Sequence, residues 1–305
     1  MLGGSGFLGL PLVEAALGQE RWERVILAAR DPHGARLWPR ALRDPRLERA
    51  AVDLCAPAAE LWALLDRWAP DAVVGLAALA EAGACERQPA LAERLNAEAP
   101  GDLARWCQQR GVRLLHASTD LVHGAQPPGP EGFPDEQPAA PLSIYGHSKA
   151  RGEQRVLAAH PAALVVRLPL LFGAARGRAR GASAALFAEL AAGRPVTLFE
   201  DERRQPLEVG LAARALLDLL ALPVQGRLNL PGPEGLSRAD FGRRLLAAAR
   251  SLGRSLPSPR YGHRADLGLS ASRPADTHLD GRRAQALLGP LPPLERSLRA
   301  AAASA

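Results

Sequence analysis

Lysine is almost missing from this chain. Of its 38 basic residues one is lysine, Lys149, and the others are arginine. Cysteine is scarce as well. Cys55, Cys85 and Cys107 are widely separated, odd in number and without CxxC spacing, which argues against a disulfide framework or a zinc ribbon and fits a reducing cytoplasm. No apolar run approaches the roughly 18–20 residues that a membrane helix needs. The N-terminus has no charged segment followed by an apolar stretch, so no secretory signal is expected. Aromatic residues make up 4%, and no basic helix carries an aromatic platform. The net charge of +6, spread over scattered arginines, therefore points to small anionic ligands such as nucleotides rather than to a nucleic acid. What is present is a globular balance: 305 residues, 47% hydrophobic and 23% charged, enough apolar surface to offset the ordering entropy of a sizeable core.

The pattern of the first 170 or so residues alternates short apolar runs with amphipathic stretches. Strands are expected at 24–30, 47–54, 71–77, 112–118 and 163–168, and helices at 58–68, 90–110 and 145–159. Apolar strands alternating with helices mean a parallel sheet covered on both faces, a Rossmann-type doubly wound α/β domain. Residues 1–172 are expected to form it. Residues 173–305 mainly build a smaller C-terminal α/β substrate lobe, interleaved with the first, with helices at 182–192, 209–222 and 237–252 and short strands at 196–199 and 227–230. The basic, glycine-rich run at 173–181 is a solvated connection or a substrate-phosphate contact. The proline-rich run at 127–141 reads as a surface loop.

Gly3, Gly6 and Gly9 stand in GxxGxxG spacing at the head of a helix expected over 8–17. Such glycines let the backbone turn tightly and approach a pyrophosphate at a helix N-terminus. The strand that follows ends at Arg30, where an arginine suits the 2′-phosphate of NADP better than the ribose hydroxyls of NAD; Asp31 is adjacent. Only Met1 and Leu2 precede Gly3, so the central strand of such a sheet would need roughly five further apolar residues ahead of them.

Ser118, Thr119 and Asp120 end one strand, and Tyr145 and Lys149 open a helix. Tyr145 is one of two tyrosines, and the only lysine lies four residues after it on the same helical face. A nearby ammonium is expected to lower the phenol's pKa, so that Tyr145 passes a proton to a carbonyl oxygen receiving hydride, while Thr119 hydrogen-bonds the same oxygen. No HxH or HExxH spacing supports a metal. His123 and His147 read as structural. Trp62 and Trp68 read as helix packing, and Arg203–Arg204 as a solvated loop or a phosphate contact.

Together the glycine motif, STDLVHG and YGHSK resemble the extended short-chain dehydrogenase/reductases. The chain is similar in particular to the dTDP-4-dehydrorhamnose reductase group, which also includes the non-catalytic regulatory subunit of methionine adenosyltransferase. CERQPALAERLNAEAP, APLSIYGHSKARGE, LVVRLPLLFG and RPADTHLDGRRAQALLG extend the likeness over nearly the whole chain. The resemblance implies a Thr119–Tyr145–Lys149 triad, with Tyr145 and Lys149 also beside the nicotinamide ribose. It implies NADP contacts at Gly3, Gly6, Phe7, Leu8 and Arg30, at Asp53 and Leu54 near the adenine, at Ala77 and Ala78, and at Asn96 close to the active site. It implies a nucleotide-sugar substrate and NADP(H)-dependent reduction of a keto group, with a homodimer common in the superfamily. An epimerase or dehydratase with retained cofactor, or a regulatory protein that binds NADP without chemistry, shares the same motifs. Leu121 and His123 stand where the family usually has an aromatic residue and Phe, and GLAALAEAG where it often has an NAAA-like loop; these departures bear on the substrate more than on the cofactor.

Overall fold

The computed structural model describes residues 1–34, 39–174, 181–269 and 271–304. Parallel strands Leu47–Ala51, Val25–Ala29, Ala72–Gly75, Arg113–Thr119, Leu164–Leu168 and Gly226–Asn229 lie side by side in that order. Between the second and third, Leu2 bridges Ala28 on one side and Gly75 on the other. Its N–H donates to Val74 O and its carbonyl accepts from Leu76 N, both at 2.9 Å. The glycine turn thus leaves from the middle of the sheet, as the motif requires.

All five residues of Leu164–Leu168 are buried, the signature of a strand covered on both faces. Helices Gly9–Leu17 and Val209–Ala221 cover one face, packing Leu12, Val13, Leu216 and Leu217 against Leu27 and Val166. Helices Ala58–Trp68 and Ala99–Arg110 cover the other through Leu61, Leu65, Leu103 and Trp106. Trp68 is in that core, and Trp62 is half-buried with its indole N–H on Asp102 O at 3.0 Å. A third core, including Phe172, Leu186, Phe241, Leu245 and Leu298, belongs to the smaller lobe of helices Ala182–Ala191, Arg238–Ser251 and Leu294–Ala303. There Thr197–Phe199 pairs in parallel with Arg260–Gly262. Among the described residues no helix is long and apolar enough to cross a membrane.

Three expectations are corrected. The short strand expected at 227–230 in the small lobe runs over Gly226–Asn229 and extends the main sheet beside Leu164–Leu168, because a four-residue strand carries no local sign of its partner. The single helix expected over 90–110 is interrupted by a π-helical turn at Arg94–Glu98, a distortion often found at functional sites. The loop at 127–141 is not merely superficial: Phe133 is buried, bridges Leu279 and stacks on His123 with ring centroids 4.2 Å apart. The arginine-bearing stretch at 175–180, within the run read as a possible phosphate contact, lies outside the described residues. Arg203 is exposed, whereas Arg204 is buried, 3.3 Å from Glu202 and donating to Pro274 O.

One buried ionic network ties the sheet to the loops around it. Glu153 and Arg167 are each 1% exposed. Glu153 Oε1 accepts from Arg167 Nε at 3.0 Å and Ser118 Oγ at 2.6 Å; Oε2 accepts from Arg167 Nη2 at 2.9 Å and Arg227 Nε at 3.1 Å. The guanidinium also reaches His123 Nε2 and Asp135 O. His123 is held at a pKa of about 4, chiefly by burial and secondarily by Arg167, so its ring is neutral and can accept that hydrogen bond. Removing one partner of a buried pair strands the other charge. Arg167→Leu should therefore lower unfolding free energy by about 3–5 kcal/mol, read by urea denaturation. A loss below about 1 kcal/mol would show that Ser118 and Arg227 suffice to hold Glu153.

Candidate active site

Strand Arg113–Thr119 delivers Thr119 and Asp120 to the C-terminal edge of the sheet, where doubly wound folds bind ligands. Helix Ile144–Ala159 brings Tyr145, Lys149 and Glu153 to the same edge, successive positions four apart on one face. Ser143 caps it by accepting from Gly146 N at 3.1 Å. Two glycines set how closely the helix lies. A Cβ on Gly146 would collide with Leu121 O, and one on Gly152 with Asn96 O in the π turn.

Tyr145 is half-buried, with Thr119 acting on its phenol. Burial pushes its phenol above the ordinary value, with the Thr119 contact pulling the other way. The expected depression by Lys149 is not found. The ammonium, 2% exposed, instead donates to Ala117 O at 2.7 Å and lies 3.3 Å from His116 Nε2. Its own pKa is lowered to about 8 by burial, partly offset by Glu153. The Thr119 hydroxyl donates to Asp120 Oδ1 at 3.1 Å and accepts from Leu121 N at 3.2 Å. Asp120 is buried, its pKa raised by burial, and its Oδ2 accepts from Thr277 Oγ1 at 2.6 Å.

Asn96 is not a free contact. Fully buried, it accepts from Leu79 N at 2.8 Å and donates to Leu79 O at 3.1 Å and Ser148 Oγ at 3.0 Å. Its amide joins the loop after strand Ala72–Gly75 to the Tyr145 helix. Its local signal was weak, because an asparagine within a helical stretch reads as solvated. Unlike Asn96, which the resemblance points to, Glu153, Arg167, Asp120 and His116 carry no assigned role in the sequence reading. Asp120 follows Ser118–Thr119 directly, and Glu153 follows Lys149 by one helical turn, so their neighbours were the available signal.

The glycine turn fits a dinucleotide. Gly3 has φ +84°, and a Cβ there would meet Ala77 N at 2.6 Å. A Cβ on Gly9 would collide with Gly3 O. These two glycines are needed by the protein's own packing. Gly6 differs: among the described residues a Cβ there would meet only Gly3 O, at 3.1 Å. It leaves open space at the start of helix Gly9–Leu17, where backbone N–H groups and the helix dipole favour a diphosphate. Phe7, Leu8, Leu54, Ala77 and Ala78 are half-buried around this turn, and Arg30 and Asp53 are exposed. His123 is buried in the ionic network and His147 is exposed.

A family profile described as RmlD substrate binding domain matches residues 1–305. The chain is 34% identical over 242 residues to the probable low-salt glycan biosynthesis reductase Agl14 of Haloferax volcanii, covering 78% of each protein. It is 34% identical over 222 residues to the dTDP-4-dehydrorhamnose reductase of Mycobacterium tuberculosis, covering 70% of each. Among solved structures, the dTDP-4-dehydrorhamnose reductase of Bacillus anthracis in complex with NADP aligns with a TM-score of 0.77 at 19% identity, over 100% of this chain and 96% of that one. At that identity the likeness speaks for the fold. On the full-length profile match and the one-third identity to reductases, the chain belongs to the RmlD substrate-binding-domain family of NAD(P)-dependent extended short-chain dehydrogenases/reductases.

Proposed function

We propose that this protein reduces a keto group of a nucleotide-activated sugar with NADPH, a dTDP-4-dehydrohexose being the substrate class suggested by its mycobacterial relative. The observation that carries the reading is the junction of Tyr145, Thr119 and Lys149 at the sheet edge beside the glycine turn. The bound cofactor would supply hydride to the substrate carbon. The chain's residues do the rest. The opening at Gly6 admits the diphosphate, and Arg30 meets the 2′-phosphate at the strand end. Thr119 holds the phenol of Tyr145, which gives its proton to the carbonyl oxygen as charge develops there. Lys149, donating to Ala117 O, keeps a positive charge within the same buried pocket. Asp120 accepts from Thr119 and from Thr277, tying the C-terminal segment to the end of the strand that carries Thr119.

The direct test is NADPH oxidation with a dTDP-4-dehydro sugar, followed spectrophotometrically. Consumption should be stoichiometric with substrate; turnover without net consumption would instead indicate epimerisation or dehydration. Tyr145→Phe should lower kcat by about 10²–10⁴-fold, the contribution of a positioned general acid, while leaving NADPH affinity nearly intact. Unchanged turnover in that variant would sink the mechanism. Arg30→Ala should raise the KM for NADPH several-fold and leave that for NADH unaltered; equal effects on both would remove Arg30 from 2′-phosphate recognition. The pH profile follows from Lys149. The useful form is the ammonium, which is lost as pH rises through its value of about 8. kcat/KM for reduction should therefore fall with a limb near pH 8 in the wild type, a limb that belongs to the free enzyme.

A further inference from the structure

Lys149 does not stand alone in its pocket. An ammonium has three N–H donors. One goes to Ala117 O at 2.7 Å, and His116 Nε2 lies 3.3 Å away. His116 is 1% exposed, on the strand that ends at Thr119. The sheet makes room for it. Its register partner on the neighbouring strand is Gly75, and a Cβ there would sit 3.3 Å from His116 Nδ1. The cavity beside the ring is lined by Leu2, Gly75, Ala77, Ala99 and Leu103, none of which titrates.

We propose that His116 is a positioning residue for Lys149: its neutral imidazole accepts one ammonium N–H and, together with the Ala117 carbonyl, leaves a single N–H aimed at the reaction centre. Burial and the facing ammonium both oppose a charge on His116, so the ring remains an acceptor across the working pH range. The other charged group near Lys149 is Glu153, one turn along the same helix. Its carboxylate oxygens are occupied by Arg167, Ser118 and Arg227. Tyr145, one turn back, is held by Thr119. Among the described residues, the direct hydrogen-bonding partners of the ammonium are therefore Ala117 and His116. A freely rotating ammonium would present its donors at random, whereas two fixed acceptors orient the third. The inference rests on the reading of Lys149 as part of the reductive site.

The sole lysine makes the test clean. Protein grown with [ε-13C]lysine has one lysine resonance, whose pH titration reads Lys149 directly and needs no substrate. In the wild type the midpoint is expected near 8. His116→Leu removes an acceptor from the charged form, so the midpoint should drop by about one pH unit or more. His116→Gln, which retains an acceptor, should return it most of the way, and the limb of kcat/KM should move with the resonance. An unchanged or raised midpoint in His116→Leu would overturn the proposal. Should that variant fail to fold, 15N spectra of the wild type decide: an unprotonated His116 Nε2 supports the role and a protonated one overturns it. Absence of NADPH turnover by a wild type that titrates as described would count against the reductase reading alone.

Discussion

Helix Ile144–Ala159 can work only because it lies unusually close to its neighbours. At Gly146 it rests against the backbone of Leu121, and at Gly152 against the carbonyl of Asn96. Neither position has room for even a methyl group. The closeness brings Lys149 within reach of the Ala117 carbonyl and Glu153 within reach of Ser118 and Arg167. The π turn that carries Asn96 bulges towards this helix and is fastened to it by Ser148. The position of Tyr145 is thus set by close backbone approaches at Gly146 beside it and at Gly152 two turns further along the helix.

Buried ionisable groups then divide into two kinds. His116 and His123 give up charge: burial depresses both, and each serves as an acceptor for a cation, Lys149 in one case and Arg167 in the other. Glu153 keeps its charge because Arg167 and two further donors surround its carboxylate, holding its pKa below the ordinary range despite burial. His123 stacks on Phe133 and adds an acceptor for Arg167.

Much of this was legible from local pattern. The apolar strands, the glycine turn and the Tyr145–Lys149 spacing are properties of short windows, and the sheet places them together at one edge. What local pattern does not contain is the partner at long range. The Asp120–Thr277 bond spans 157 positions and the Asn229–Asp135 bond spans 94. Gly226–Asn229 looks like part of the distal lobe until its register with Leu164–Leu168 is known. The direction of the Lys149 ammonium was missed for a similar reason. Helical spacing puts it on the face of Tyr145, but the strand opposite supplies nearer acceptors.

The sheet's last strand has a temporal consequence. Leu164–Leu168 is fully buried in the finished protein, yet its outer neighbour is synthesised only some sixty residues later, after much of the smaller lobe. During translation that apolar strand is an open edge with unsatisfied hydrogen-bonding groups, a template for pairing with other nascent chains. Closing it requires a non-local contact, which slows folding. A chain halted before Gly226 would therefore be more prone to aggregate than one halted just after Asn229, although the second is only slightly longer.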